Sequence, residues 1–247
     1  GFTAMTVNGN DYKVILLHKG LLNIDKEVNL DDLDSDYYKI ETANSSETNN
    51  SIIHGTENGQ TAMAQMNAPA LPSSTVTLLN NGTINLSGQE SIGIYTDNGV
   101  IQNNGNIETS GTNSYGIYAV NGTEVNTTAT SLIKSTTNGA GIVLQSYVVD
   151  PITGPITTSR YGNGTFKLDH NGKIEMTGTK AFGIYADNNA PGGTPSVSNR
   201  IVNLNSGSVI DLSGTTEKGT GVYANKATVN TAGNIKVSSN GIGIYAK

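Results

Sequence analysis

Apolar and polar residues alternate in short bursts along this chain, and almost nowhere do they repeat at helical spacing. Tyr115, Ile117 and Ala119 alternate with Gly116 and Tyr118, as Ile92, Ile94 and Thr96 do with Gly93 and Tyr95. That is the period of a strand; a helix needs apolar residues at i, i+3 and i+4, and no burst keeps that over a full turn. Each burst spans about five residues between Gly, Asn, Asp or Ser, so each reads as a strand between turns.

The bursts repeat. Phe182-Gly183-Ile184-Tyr185-Ala186 is the plainest copy; others lie at 92–96, 115–119, 220–224 and 242–246, with a weaker one at 140–144. A second phrase, Asn-Gly-x-Ile-x-apolar, precedes it, for example at 81–86 and 171–176. Gly82 to Gly93, Gly105 to Gly116 and Gly172 to Gly183 are each 11 residues, and Gly233 to Gly243 is 10. Self-similarity at a fixed period marks a stacked architecture. A repeat of about 22 residues cannot bury its own apolar side, but copies stacked in register about 4.8 Å apart can. The expected fold is all-β: a parallel β-helix, a right-handed solenoid with about three short strands per rung and loop insertions at one corner.

This reading places side chains. Stretches at 76–79, 100–101, 166–168, 201–204 and 227–229 supply the third strand. Ile84, Leu86, Ile92 and Ile94 point inward in one rung, Ile174, Met176, Phe182 and Ile184 in another. Ile84, Ile107, Ile174 and Ile235 line a common dry column. Asn81, Asn104 and Asn171 stack at one corner, where amides can bond along the axis. The repeat glycines mark a bend or a close approach. Tyr95, Tyr118, Tyr185, Tyr223 and Tyr245 share the outer face, unless the bend turns them inward.

Residues 1–75 are irregular and read as degenerate rungs or a cap; 76–247 form the regular array. Its insertions, 146–163 and 188–200, follow the Gly-Ile-Tyr strand at one corner of consecutive rungs. Lys247 follows a strand directly, so the chain is expected to be a piece ending mid-stack. Asp31, Asp32, Asp34 and Asp36 make an acidic stretch, either a short helix capped by Asn29 or a solvated loop; its spacing fits no EF-hand.

Composition narrows the function classes. Hydrophobic residues make up 35% of the 247 and charged residues only 14%, with 30 Gly, which suits a many-turned all-β surface. The absence of Cys excludes disulfide scaffolds and thiol chemistry. A net charge of −6 makes nucleic acid and anionic membrane poor partners. No run of 18 apolar residues offers a spanning helix, so no direct membrane insertion by this piece is expected. A secreted reading requires leader and anchor to lie outside the given sequence.

Candidate chemistry is sparse. His18, His54 and His170 have no ligand at metal spacing, and His170 reads as a turn residue before Asn171-Gly172. No nucleophile elbow, phosphate loop or dinucleotide fingerprint occurs, so no cofactor, metal or catalytic group is expected. The enzyme alternative is a polysaccharide-active β-helix using Glu108 and Glu175, with Asp211 nearby. Asn85 and Lys236 hold the matching places in other rungs, which is the pattern of a varied solvent face. The insertions hold Tyr147, Arg160, Tyr161 and Arg200, the aromatic and Arg content of binding hot spots, so these four are candidate ligand contacts. The plain alternative is decorative loops on an inert spacer.

The Gly-Ile-Tyr-Ala repeats with Asn-Gly-x-Ile between them resemble the passenger domains of large fusobacterial autotransporter adhesins, over roughly 76–247. The resemblance implies type V secretion, and display outside the bacterial cell by a C-terminal β-barrel in the outer membrane. It also implies attachment to a surface protein or glycan of host cells or other bacteria, and nothing catalytic. A monomeric rod is expected, with two-partner secretion as the other export route.

Overall fold

Three strand-forming stretches per turn of chain, each too short to hold itself, lie beside their copies one turn later. The computed structural model describes residues 2–7, 10–15, 21–32, 46–65, 77–150, 154–156, 164–189 and 196–247. Three parallel sheets run along the stack. The first holds Leu21–Ile24, Ser46–Asn49, Thr77–Asn80, Val100–Asn103, Thr123–Thr127, Phe166–His170, Arg200–Leu204 and Thr228–Thr231. The second holds Val28–Asn29, Ile52–Gly55, Thr83–Leu86, Asn106–Thr109, Leu132–Ser135, Lys173–Met176, Val209–Leu212 and Asn234–Val237. The third holds Thr61–Gln65, Ile92–Asp97, Ser114–Val120, Gly139–Gln145, Phe182–Asp187, Thr220–Asn225 and Ile242–Ala246. The chain visits first, second and third sheet in turn, then steps up one rung. That is a parallel β-helix. Counted from Leu21, the fifth rung is Thr123–Thr127, Leu132–Ser135 and Gly139–Gln145. Two antiparallel pairs stand outside the stack: Phe2–Val7 with Asn10–Ile15, and Val148–Asp150 with Gly154–Ile156 inside the first insertion.

The core follows from register. Val28, Ile53, Ile84, Ile107, Ile133, Ile174, Ile210 and Ile235 pair in one unbroken line. From Ile53 to Ile210 each is at most 1% exposed, so the expected dry column is present and longer than its four named members. Each such side chain contributes about 1.5–3 kcal/mol relative to exposure. The fifth rung carries no Asn-Gly phrase, because Thr127-Thr128 replaces the amides, and its first two strands emerge only from pairing.

The third sheet departs from strict alternation. Ile92 is half-buried, Gly93 and Ile94 are both buried, Tyr95 is half-buried, and Thr96 is buried again. The ladder pairs Ile92 with Tyr115 and Ile94 with Ile117, passing over the glycines. Two successive residues therefore face inward, and the residues on either side of them face outward. Ile92 and Phe182, expected inside, lie on the outer face instead; the tyrosines stay outside. The cause is contact with the next rung. A Cβ on Gly93 would lie 2.6 Å from Ile107 Cγ2, one on Gly116 2.6 Å from Ile133 Cγ2, and one on Gly141 2.7 Å from Ile174 Cγ2. Each glycine is the socket for an isoleucine methyl one rung on, so the two sequence phrases are halves of one packing device.

The corner between first and second sheets carries two amide ladders. In the outer one Asn50 donates to Asp25 (2.8 Å), Asn81 to Asn50 (2.9 Å), Asn104 to Asn81 (2.8 Å) and Asn205 to Asn171 (3.1 Å). Asn81, Asn104 and Asn171 thus occupy the expected corner, with Thr128 interrupting the line. The inner ladder runs the other way: Asn49 donates to Asn80 (2.8 Å), Asn80 to Asn103 (2.8 Å) and Asn103 to Ser131 Oγ (2.6 Å). Thr127 and His170 continue it, with Oγ1 and Nδ1 2.8 Å apart. His170, expected in a turn, is instead the last residue of a strand: it is fully buried, and burial lowers its pKa to about 4, which keeps it neutral. The acidic stretch becomes a 3-10 turn over Leu30–Asp32. Asp31 there accepts from Thr56 N (2.8 Å), Thr56 Oγ1 (2.7 Å) and Gln60 Nε2 (2.8 Å), which hold its pKa down to about 2. Asp34 and Asp36 lie outside the described residues.

Candidate functional site

Because the residue before each glycine and the tyrosine after it both lie on the outer side, the third sheet carries two parallel columns there. They are mostly half-buried, with Ala140, Val143 and Thr220 buried and Ile242 and Tyr245 exposed. One reads Thr61, Ile92, Tyr115, Ala140, Phe182, Thr220, Ile242; the other Ala64, Tyr95, Tyr118, Val143, Tyr185, Tyr223, Tyr245. The rung spacing of about 4.8 Å suits stacked rings. Tyr185 and Tyr223 stack with centroids 4.6 Å apart and planes 9° apart; Tyr223 and Tyr245 follow at 5.7 Å and 8°. Tyr95 and Tyr118 stack more loosely, at 6.1 Å and 26°. Between columns, Tyr115 meets Tyr118 and Phe182 meets Tyr185 edge to face, each at 5.3 Å and 81°.

The aromatic surface is interrupted at the fifth rung, where Ala140 and Val143 stand in place of rings. The result is a groove of about 380 Å³ along Gly139–Gln145. Tyr115 and Tyr118 wall one side and Phe182 and Tyr185 the other, over a floor of Ala140 and Val143 that is 1% and 3% exposed. Polar groups gather at its ends. Tyr118 donates to Gln145 Oε1 at 3.0 Å, and burial first of all pushes the Tyr118 pKa up to about 12. Asn138 Nδ2 donates to Asn113 Oδ1 at 2.8 Å, while Asn113 N donates to Asn138 Oδ1 at 3.1 Å. Lys180 stands at the same end and makes no ion pair among the described residues.

Both insertions leave the stack at one corner, since Gln145 and Asp187 are ladder partners at their bases. Tyr147 lies just past Gln145. Its hydroxyl donates to Asp187 Oδ2 at 2.7 Å, and burial together with that carboxylate raises its pKa. Asp187 also accepts from Asn189 N (3.0 Å) and Asn225 Nδ2 (3.1 Å), so Tyr147 fastens the first insertion to the sixth and seventh rungs. Arg200 opens the next first-sheet strand, donating from Nε to Gly164 O (2.8 Å) and from Nη1 to Ser196 O (3.0 Å); it ties the return ends of both insertions. Among the described residues no hydrogen bond joins Tyr147 to Arg200, and Arg160 and Tyr161 lie outside those residues.

The carboxylates of the enzyme alternative share one outward column of the second sheet. It reads Asn85, Glu108, Lys134, Glu175, Asp211, Lys236. Lys134 stands between the two glutamates, and Lys173 pairs with Glu175 at 2.7 Å. Hydrogen bonds from Ser213 hold Asp211 below the usual carboxylate range. Lys134 attracts the glutamate on either side of it and Lys236 attracts Asp211, while Glu175 and Asp211 are like-charged neighbours on paired strands, with Lys173 beside Glu175 to offset the repulsion. Among the described residues no cluster of three or more His, Cys, Asp or Glu could hold a metal ion.

The groove itself was not read from the sequence. Its signal was present: 140–144 is the one copy that keeps the glycine and isoleucine but loses the tyrosine, and Ala140 falls between the copies that begin with Tyr115 and Phe182. Residues 20–247 match the family described as BigA third pectate lyase-like domain. No curated protein and no solved structure matches the chain. The chain belongs to the BigA third pectate lyase-like domain family, as a right-handed β-helical domain of a bacterial surface protein.

Proposed function

We propose that this domain works in attachment, as a stiff rod that holds a binding face away from the bacterium and engages a protein or glycan on another cell. One observation carries the reading: an outer sheet face of aromatic columns with a groove in it. A spacer needs only a polar exterior, whereas aromatics gathered half-buried on one outer face supply the anchors of a recognition surface. The two insertions leave the stack beside that face, so Tyr147 and Arg200 belong to the proposal as its flank, and Arg160 and Tyr161 remain candidate contacts on the sequence alone. Tyr147 and Arg200 shape that flank through the hydrogen bonds they make. Attachment is proposed in preference to catalysis because lysines stand on both sides of the outward carboxylates and Lys173 is paired with Glu175. A passenger's export through the outer membrane and its tethering there by a β-barrel rest on the resemblance of the repeat alone.

The test is saturable binding of the fluorescently labelled 247-residue chain to a panel of bacterial and epithelial cells. Saturable binding supports attachment. Its absence on every cell type leaves the spacer reading. Turnover of any polysaccharide in a broad panel, lost in Glu175→Gln, revives the enzyme. Removing 148–163 tests the flank: undiminished binding by a folded deletion variant takes the first insertion out of the site.

A further inference from the structure

We propose that the groove along Gly139–Gln145 binds a short stretch of glycan, with sugar faces against Tyr118 and Tyr185 and hydroxyls on the polar groups at its ends. The proposal deepens the attachment reading and rests on it. Tyr185 lies 9° from parallel to Tyr223 at 4.6 Å, close to one rung step, so its ring faces along the axis of the stack. One face is covered by Tyr223. The other is turned towards the fifth rung, where Val143 offers no ring. Tyr118 closes the far side, two rung steps or about 10 Å away along the backbone.

The chemistry of the groove selects among occupants. A sugar presents C–H faces, which rings cover, and hydroxyl edges that both donate and accept. Amide side chains also do both, and Asn113, Asn138 and Gln145 are amides. Lys180 adds a cation for a hydroxyl or a carboxylate. An extended peptide is a poorer match. The floor strand is laddered on both sides, so it has no free edge for main-chain pairing, and a few rim groups cannot satisfy a peptide backbone. Nucleic acid is disfavoured by the net charge of −6.

The chain is titrated with the methyl glycosides of glucose, galactose and N-acetylglucosamine and with glucuronate, followed by saturation-transfer NMR. At least one is expected to bind, with transfer strongest at ring C–H. Val143→Tyr places a ring in the gap and extends the stack; it should weaken binding at least tenfold while the melting temperature holds or rises. Tyr185→Leu, which removes a wall but keeps an apolar side chain, should weaken it similarly and serves if the first variant misfolds. Undiminished sugar binding by both folded variants overturns the proposal. So does binding of a capped aromatic peptide where no saccharide binds. Saccharide silence in a chain that still attaches to cells sinks the glycan groove and leaves attachment standing. Saccharide binding without cell attachment supports the groove and sinks only the wider reading.

Discussion

Ile133 Cγ2 occupies the space that a side chain on Gly116 would need, and the Gly141 carbonyl lies 2.7 Å from the same point. Adding one methyl there displaces core and backbone together. Gly116→Ala should cost about 1–3 kcal/mol, seen as a lower urea midpoint with an unchanged slope. Gly243→Ala is the control, since nothing lies within 4 Å of its added Cβ, and it should change the midpoint little. Two buried titrating residues make a second test. Burial lowers His170 to about 4 and raises Asp97 to about 6. Between pH 4 and 6 the unfolded chain holds a proton on His170 that the folded chain lacks, so this residue makes stability rise with pH. Asp97 does the reverse, because the folded chain keeps a proton that the unfolded chain has lost. Each is worth up to about 3 kcal/mol, with opposite sign. The intact chain should therefore show a nearly level contribution from these two across that window. Glu47, which burial raises to about 7, adds a fall of its own in this window, so the variants are read against the intact chain. His170→Asn should steepen the fall in stability from pH 4 to 6 and Asp97→Asn should lessen it; curves parallel to that of the intact chain for both variants would refute the assignment.

At the scale of the element, adjacent asparagines that look alike in sequence do different work. Asn80 is fully buried and bonded on both sides within the inner ladder, while Asn81 bonds in the exposed outer one. Asn80→Ala strands the amide partners on Asn49 and Asn103 away from water and should cost about 2–4 kcal/mol. Asn81→Ala should cost less than about 1 kcal/mol, because water replaces the lost bond. Equal urea midpoints for the two variants would contradict the two-ladder reading. The outer ladder was legible from the Asn-Gly phrase. The inner one was not, because an asparagine before a turn looks the same whether its amide meets solvent or another rung. His170 was misplaced for the same reason: nothing local distinguishes a surface turn from a buried column. Ile92 and Phe182 were misplaced by counting in twos through a glycine that breaks the count.

Across the whole molecule each rung contacts chiefly its neighbours, so stability is a sum of rung terms and shared faces. Ile133 sits midway along the dry column and is 1% exposed. Ile133→Ala should cost about 2–5 kcal/mol. Hydrogen exchange should then show faster amides in the paired strands Asn106–Thr109 and Lys173–Met176, with smaller changes in rungs farther away. A uniform rise along the stack would instead mean that the helix opens as one unit.

By itself the sequence determined the strands, their period and hence the β-helix, because a period of two inside a fixed longer repeat leaves stacking as the way to bury the apolar side. Only the tertiary structure decided which way the residue before each glycine faces, that a second amide ladder lies inside the corner, and that Ala140 and Val143 floor an aromatic groove. Those outcomes depend on what the next rung brings within a few ångströms, and a pattern along one strand carries no record of that approach.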